Sequence, residues 1–271
     1  MTSASPAVPR PSRATSFRAS YEHQLLLYLR NWRGSIFGNF AQPVLFLLAM
    51  GVGLGTYVDK GGSGATGGVP YIQFLAPALL VSSVMQGSAF EGTIPVMAGF
   101  RWVRRYHAMY ATPLTPAAIT FGQLAWIATR AALVGTIFAG VIVLFGAAAT
   151  PGIVFAVPVG ILTALAFASP IAAYMSTQRD TGAFNAIWRF GITPLFLFSG
   201  TFFPIDRLPE AIRPLAWFLP LWHGVDLARA LALGKAGQEP LLHLAHLVIL
   251  LVVAIAGITA MYVMFRRQLE R

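Results

Sequence analysis

His223, Asp226 and Arg229 stand three residues apart in PLWHGVDLARAL, residues 220–231, within a mostly apolar chain. At i, i+3 and i+6 the three side chains lie along one stripe of a helix, drifting by about sixty degrees over the six steps. Asp226 can pair with either neighbour across one turn. An imidazole, a carboxylate and a guanidinium together suit acid–base catalysis, ion handling, or a polar helix seated at a membrane surface. Catalysis needs a nucleophile or a metal. The nearest serine is Ser199, and neither GxSxG nor HExxH occurs anywhere. His243 and His246 are also three apart, and three histidines with one aspartate are a conceivable ligand set. Two of them, however, sit at a helix start in the interface, where histidine is ordinary. No catalytic residue and no metal site is assigned, and a structural or gating polar helix is the preferred reading. Pro220 suits its first turn.

Two further places carry polar groups. RWVRRYHAMYATPLTPAAI mixes cations, aromatics and turn residues. Thr115 before Pro116 is a helix start, so a short amphipathic helix is expected over 101–111. It would either anchor to anionic lipid or dock onto a soluble partner. Arg130 lies well inside an apolar run, with Gln123 seven residues earlier on nearly the same face. A charge at membrane depth costs at least about 2.5–3.5 kcal/mol and normally faces protein or water. Arg130 and Gln123 are therefore candidates for an anionic substrate headgroup or a subunit interface; the other reading is that Arg130 snorkels to the surface. Arg189 and Glu91, nearer helix ends, are read as snorkelling.

The elements that position these residues follow from composition. Of 271 residues, 56% are hydrophobic and only 10% charged, and the mean hydropathy is +0.68. Soluble domains carry about a quarter charged residues. The chain reads as an all-α polytopic membrane protein. It has no cysteine, which excludes disulfides, thiolate metal sites and cysteine nucleophiles. The net charge of +10 is assigned to arginines at cytoplasmic flanks of spans rather than to nucleic-acid binding.

Residues 1–17, rich in Ser, Pro, Ala and Arg, are expected to be a disordered basic tail. An interfacial amphipathic helix is expected over 18–34, with Leu25, Leu26 and Leu29 to one side and Arg18, Glu22 and Arg30 polar; the other reading is a cytoplasmic extension of the first span. Residues 35–271 form the membrane domain. Its six expected spans are about 36–58, 70–91, 117–146, 152–176, 184–203 and 241–265. A proline-broken segment, 204–238, precedes the last one. It reads as a helix that dips into the outer leaflet and returns.

Arg10, Arg13, Arg18, Arg30, Arg33, Arg101, Arg104, Arg105, Arg179, Arg266, Arg267 and Arg271 share one set of flanks. The other set holds fewer cations, mixed with acids. Both termini and the 92–116 loop are thus expected in the cytoplasm, with 204–238 facing outward. The two three-span halves show no strong internal repeat, so an inverted-repeat transporter lacks support.

FSGTFFPIDRLPEAIRPLAWFLPLWHGVDLAR, 198–229, resembles the signature of the permease subunits of type-2 ABC exporters, in the branch of nodulation-factor (lipo-oligosaccharide) and daunorubicin-type drug exporters. It ends in Pro220, Leu221, His223 and Arg229. AMYATPLTPAAI, 108–119, and the basic helix before the first span are similar to the same family, and the layout matches over roughly 18–271.

The resemblance implies a permease of the bacterial cytoplasmic membrane that pairs with a second, usually identical, permease and two soluble ATPase subunits. It would move an amphiphile outward between the permeases, bounded mainly by spans one, two and five. ATP and magnesium would sit on the ATPase, with no cofactor on this chain. The GxxxxGK[ST] loop is absent here, as a separately encoded ATPase requires. The resemblance makes 101–111 the coupling helix, with Arg101, Trp102, Arg104, Arg105, Tyr106 and Met109 facing the ATPase. It makes Pro220, His223, Asp226 and Arg229 the exit half-helix. Two other readings stand beside it. A proton-coupled secondary transporter would need an embedded carboxylate, and only Glu91 lies near a span. A membrane enzyme acting on lipid would use His223 and Asp226.

Overall fold

The computed structural model describes residues 12–60, 66, 68–207, 210 and 217–271, and the side chains of these outside 31–43. Among the described residues every regular element is helical. Four stretches are long and apolar enough to cross a membrane: Tyr71–Arg101, Pro116–Leu144, Pro151–Met175 and Pro240–Leu269. They correspond to the spans expected at 70–91, 117–146, 152–176 and 241–265. The protein is an all-α membrane protein.

Chain order begins with α1 (Arg13–Phe46), which runs straight into a π-helical stretch, Leu47–Leu54, and then α2 (Gly55–Lys60). Residues 18–34 are thus the early part of a helix that continues unbroken toward the expected first span. Helix also begins at Arg13, inside the expected tail, whose residues 1–11 lie outside the described ones. Next come α3 (Tyr71–Gly92), α4 (Ile94–Arg101), α5 (Arg105–Tyr110), α6 (Pro116–Leu144) and α7 (Ala156–Met175). The expected fifth span is α8 (Gly182–Ala186), a second π-helical turn, Ile187–Ile192, and α9 (Thr193–Phe198). A short helix, α10 (Pro220–Ala232), stands where the half-helix is expected, and α11 (Pro240–Leu269) ends the fold. Of the segment between α9 and α10, residues 208–209 and 211–216, with Pro209 and Pro214, lie outside the described residues.

α3 and α7 form the centre: α6 and α10 pack on both, α11 covers α7, and α1 lies along α6. Small residues allow this, as expected where helices associate without a hydrophobic driving force between them. A Cβ on Gly92 of α3 would lie 2.7 Å from the Ala168 carbonyl of α7. One on Gly257 of α11 would lie 2.6 Å from the Pro170 ring. α11 instead turns Leu241, Leu244, Val252 and Ile255 outward.

The early part of α1 is inverted relative to a soluble helix. Ser16, Ser20 and Gln24 are buried, whereas Leu26 and Leu29 are 61% and 54% exposed. Ser20 fits because Gly122 of α6 has no side chain; a Cβ there would meet the serine Oγ at 2.4 Å. Polar and small groups seat this helix on its neighbour and leave the leucines for lipid.

Candidate functional site

The expected helix over 101–111 is divided. Arg101 ends α4, and α5 starts at Arg105 after a turn in which Arg104 takes a left-handed φ of 54°. The break has a cause on each side. Arg101 is held to the 177–178 turn, donating to the carbonyls of Gln178 and Thr177 at 3.0 and 3.1 Å. Tyr106 is fully buried between Phe100 and Phe265, with centroids 4.7 and 5.3 Å away. Gly99 opens the space, since a Cβ there would sit 2.4 Å from the Tyr106 ring. The chain between these anchors is a protruding tip: Trp102 and Val103 are 57% and 71% exposed, and Arg104 is exposed. Met109 is half-buried.

Tyr106 also ties this tip to the membrane helices. Its hydroxyl donates to Gln123 Oε1 at 3.1 Å and accepts from Arg105 at 2.9 Å. Gln24 of α1 donates to the same Gln123 oxygen. One buried side chain of α6 therefore joins α1 and α5. His23 lies beside this junction. Burial first, and the Arg105 charge second, lower its pKa from the ordinary imidazole value.

Arg130 is largely enclosed by protein. It pairs with Glu91 of α3, and their side chains are only 15% and 12% exposed. Its guanidinium also lies 5.3 Å from the Tyr28 ring centroid. Each of two groups read separately from sequence, one as a headgroup contact or snorkelling cation and one as a snorkelling acid, is the other's partner.

α10 is built as its sequence suggests, from Pro220 at its first turn to a C-terminus at Leu233. Two members of its polar stripe, however, face protein, and the third, Asp226, borders a cavity. His223 and Arg229 are 5% and 9% exposed. Arg229 donates to the carbonyls of Phe74 in α3 and Gly200 after α9, at 3.2 and 2.7 Å, and lies 3.8 Å over the Phe74 ring. It fastens the half-helix to two other elements. Gly224 lets α10 close onto α7, where a Cβ would sit 2.3 Å from Thr163 Oγ1.

Asp226 finds its partner outside α10. That partner is His246 of α11, with Nε2 3.2 Å from Oδ2, an ion-pair distance without a well-directed hydrogen bond. His246 Nδ1 lies 2.7 Å from His223 Nδ1, and His223 Nε2 lies 2.9 Å from the Trp217 carbonyl. His243, by contrast, bonds to the Ala236 carbonyl at 2.9 Å. Among the described residues no group of three His, Asp or Glu has a geometry able to hold a metal.

Two concavities meet beside the bundle, and the first adjoins α10. A polar cavity of about 600 Å³ is lined by Asp226, Arg229, Asp206, Arg207, Glu239 and His243, among others. An apolar groove of about 680 Å³ runs between the two π-interrupted helices, lined by Phe46, Met50, Leu54, Leu197, Phe198 and Phe202, among others. Thr66 and Pro204 line both. Sequence reasoning found a helix starting at Pro220 but not this groove or the contact of His246 with Asp226, because helix-to-helix pairing leaves no mark in local spacing.

Long apolar helices packed as a bundle, with a divided short helix between α3 and α6 and the inward-fastened α10 before the last helix, define a multi-pass membrane protein. Residues 15–233 match the ABC-2 type transporter family, and the chain belongs to it. It is similar to Nodulation protein J of Rhizobium leguminosarum bv. viciae, 34% identical over 96% of this chain and 98% of the relative. The proteins of the same name from Rhizobium meliloti and Bradyrhizobium diazoefficiens are 34% and 30% identical. They cover 86% and 96% of this chain, and 86% and 97% of the relatives. The chain is thus a transmembrane transport component, and its family works with an ABC ATPase.

Proposed function

We propose that this chain is the permease subunit of an ATP-driven exporter that moves an amphiphile, such as a lipid, a glycolipid or lipo-oligosaccharide, or a hydrophobic drug, out across the bacterial cytoplasmic membrane. The observation that carries this reading is the junction of an apolar groove with a polar cavity at Thr66 and Pro204. A hydrocarbon tail fits the first and a hydrogen-bonding head the second, which is the division an amphiphile needs. Resemblance to Nodulation protein J over nearly the whole chain supports the same substrate class.

In this reading two ATPase subunits serve two copies of the chain. The second copy closes the open side of the groove, and both termini are cytoplasmic. Six spans cross the membrane, and α10 is a re-entrant half-helix on the outer side. Trp102, Val103 and Arg104 enter a cleft of the ATPase, because they are what the tip exposes. Arg101, Arg105, Tyr106 and Met109 hold the tip and pass its displacement to α6 and α1 through Gln123. ATP closes the ATPases, the tip moves, and the permeases change packing between two states favoured by different contacts. ATP and magnesium are bound by the ATPase.

Co-expression of the tagged chain with the ATPase encoded beside it, extraction in mild detergent, and measurement of mass and ATP hydrolysis test this. A complex of two plus two subunits that hydrolyses ATP is the expected outcome. A chain that transports without any ATPase would overturn it.

A further inference from the structure

His223, His246 and Asp226 form a chain of contacts that links α10 to α11, and its hydrogen count is constrained. The Trp217 carbonyl can only accept, so His223 Nε2, 2.9 Å away, carries a proton. Across the 2.7 Å separation of the two Nδ1 atoms one nitrogen must donate and the other accept. Between His246 Nε2 and Asp226 Oδ2, 3.2 Å apart, a bare nitrogen and an ionised oxygen would repel, so a proton lies there too. Three protons put a donor opposite an acceptor at all three contacts, two of them hydrogen bonds and the third, His246–Asp226, an ion-pair contact. Two neutral rings supply two, and the third comes from solution.

We propose that His223, His246 and Asp226 form a binding site for one proton, and that the bound proton latches the half-helix α10 to the last helix α11. With the proton present, every facing pair is donor to acceptor and the set is neutral overall. With it lost, His223 Nε2 keeps the proton that faces the Trp217 carbonyl and His246 Nε2 keeps the one that faces the ionised Asp226, so the two buried Nδ1 atoms face one another bare and the set carries a net negative charge. That arrangement is costly away from water.

The surroundings keep the contacts dry and direct the effect to α10. The Trp222 ring centroid lies 4.8 Å from each imidazole, and Trp217 stacks on Trp222 at 5.5 Å. His246 is 1% exposed, so protons reach the set through Asp226, whose side chain is 31% exposed at the polar cavity. The charged and titratable groups that face the site are Arg229 on α10, Tyr71 on α3, His243 at the start of α11, Lys235 and Glu239 in the turn between α10 and α11, and Asp206 and Arg207 across the cavity. None of them occupies a position in the three-contact chain. The sign follows from proton count: the closed latch holds one more proton than the open one, so it is present at lower pH and lost as pH rises. This holds whatever the chain transports.

The chain has five histidines, so labelling histidine alone with nitrogen-15 resolves every ring of the full protein in lipid nanodiscs. The expected result is a through-bond coupling between the Nδ1 atoms of His223 and His246 that disappears in a one-proton step as pH is raised. Over the same step, amide hydrogen exchange in 220–232 should accelerate by about tenfold beyond its intrinsic pH dependence. Asp226→Asn should move that step in both readouts. Coupling absent at all pH values, coupling retained from about pH 5 to about pH 9, or coupling lost without faster exchange in 220–232 would each overturn the proposal. The wild-type titration decides by itself, so a variant that fails to fold does not leave the matter open.

Discussion

The tip around α5 and the half-helix α10 use similar residues to opposite ends. Both carry arginine, histidine and tryptophan in or beside a short helix that lies near a proline. At the tip, Trp102 and Arg104 point outward, and the buried anchors on either side hold them there. In α10, His223, Trp222 and Arg229 turn inward onto protein partners, and only Asp226 borders the polar cavity. The difference teaches that residue type does not separate a docking surface from a fastening. Whether the polar atoms find partners in the same chain does.

The contrast can be broken by substitution, most severely in α10. Gly224→Val places side-chain carbon where Thr163 Oγ1 would be 2.3 Å away. It should abolish folded protein, measured as the monodisperse fraction after detergent extraction. Arg229→Met removes two hydrogen bonds to carbonyls, a loss of about 3–5 kcal/mol for a buried charged group, read as a large drop in unfolding temperature. Arg130→Ala leaves Glu91 buried and unpaired, and should destabilise by about 3–5 kcal/mol. Adding Glu91→Gln should recover part of that, because the stranded charge is removed; a double variant no better than the single one would count against the pair.

At the tip the effects are smaller and different in kind. Tyr106→Phe removes one hydroxyl shared with Gln123 and Arg105, and should cost about 1 kcal/mol. Trp102→Ala should leave the unfolding temperature unchanged within about 0.5 kcal/mol equivalents yet weaken association with the ATPase, measured by co-purification yield. The least effect is expected from His23. Its folded pKa is lowered, so it favours the folded state above its unfolded value and the contribution is lost as pH falls through that value toward the folded one. His23→Gln should flatten the fall in unfolding temperature as the buffer is taken from neutral to acid.

Much of the fold was legible from local pattern. Apolar runs marked four long helices close to their observed limits, Thr115 caps α6 by accepting from the Ala118 amide, and Pro220 opens α10. Gly51, Gly53 and Gly55 sit at or just beyond the π-helical stretch that interrupts the first long helix, a feature that no periodicity rule announced. The continuous α1 was legible only as the second reading of 18–34, an extension of the first span, and the break at Arg104 was not legible. Both depend on anchors distant in sequence: Gly122 for Ser20, and the 177–178 carbonyls for Arg101.

The candidate residues show the same division. Composition by itself determined that this chain is a helical membrane protein, because hydrocarbon demands long apolar helices and tolerates few charges. Motif spacing placed His223, Asp226 and Arg229 on one stripe. Only the tertiary structure decided that Asp226 meets His246, that Arg130 meets Glu91, and that Gln123 joins two helices. In an apolar medium any charge must find some partner, but which partner depends on where small residues let helices touch. That choice is made by packing across the bundle, and no local stretch of sequence contains it.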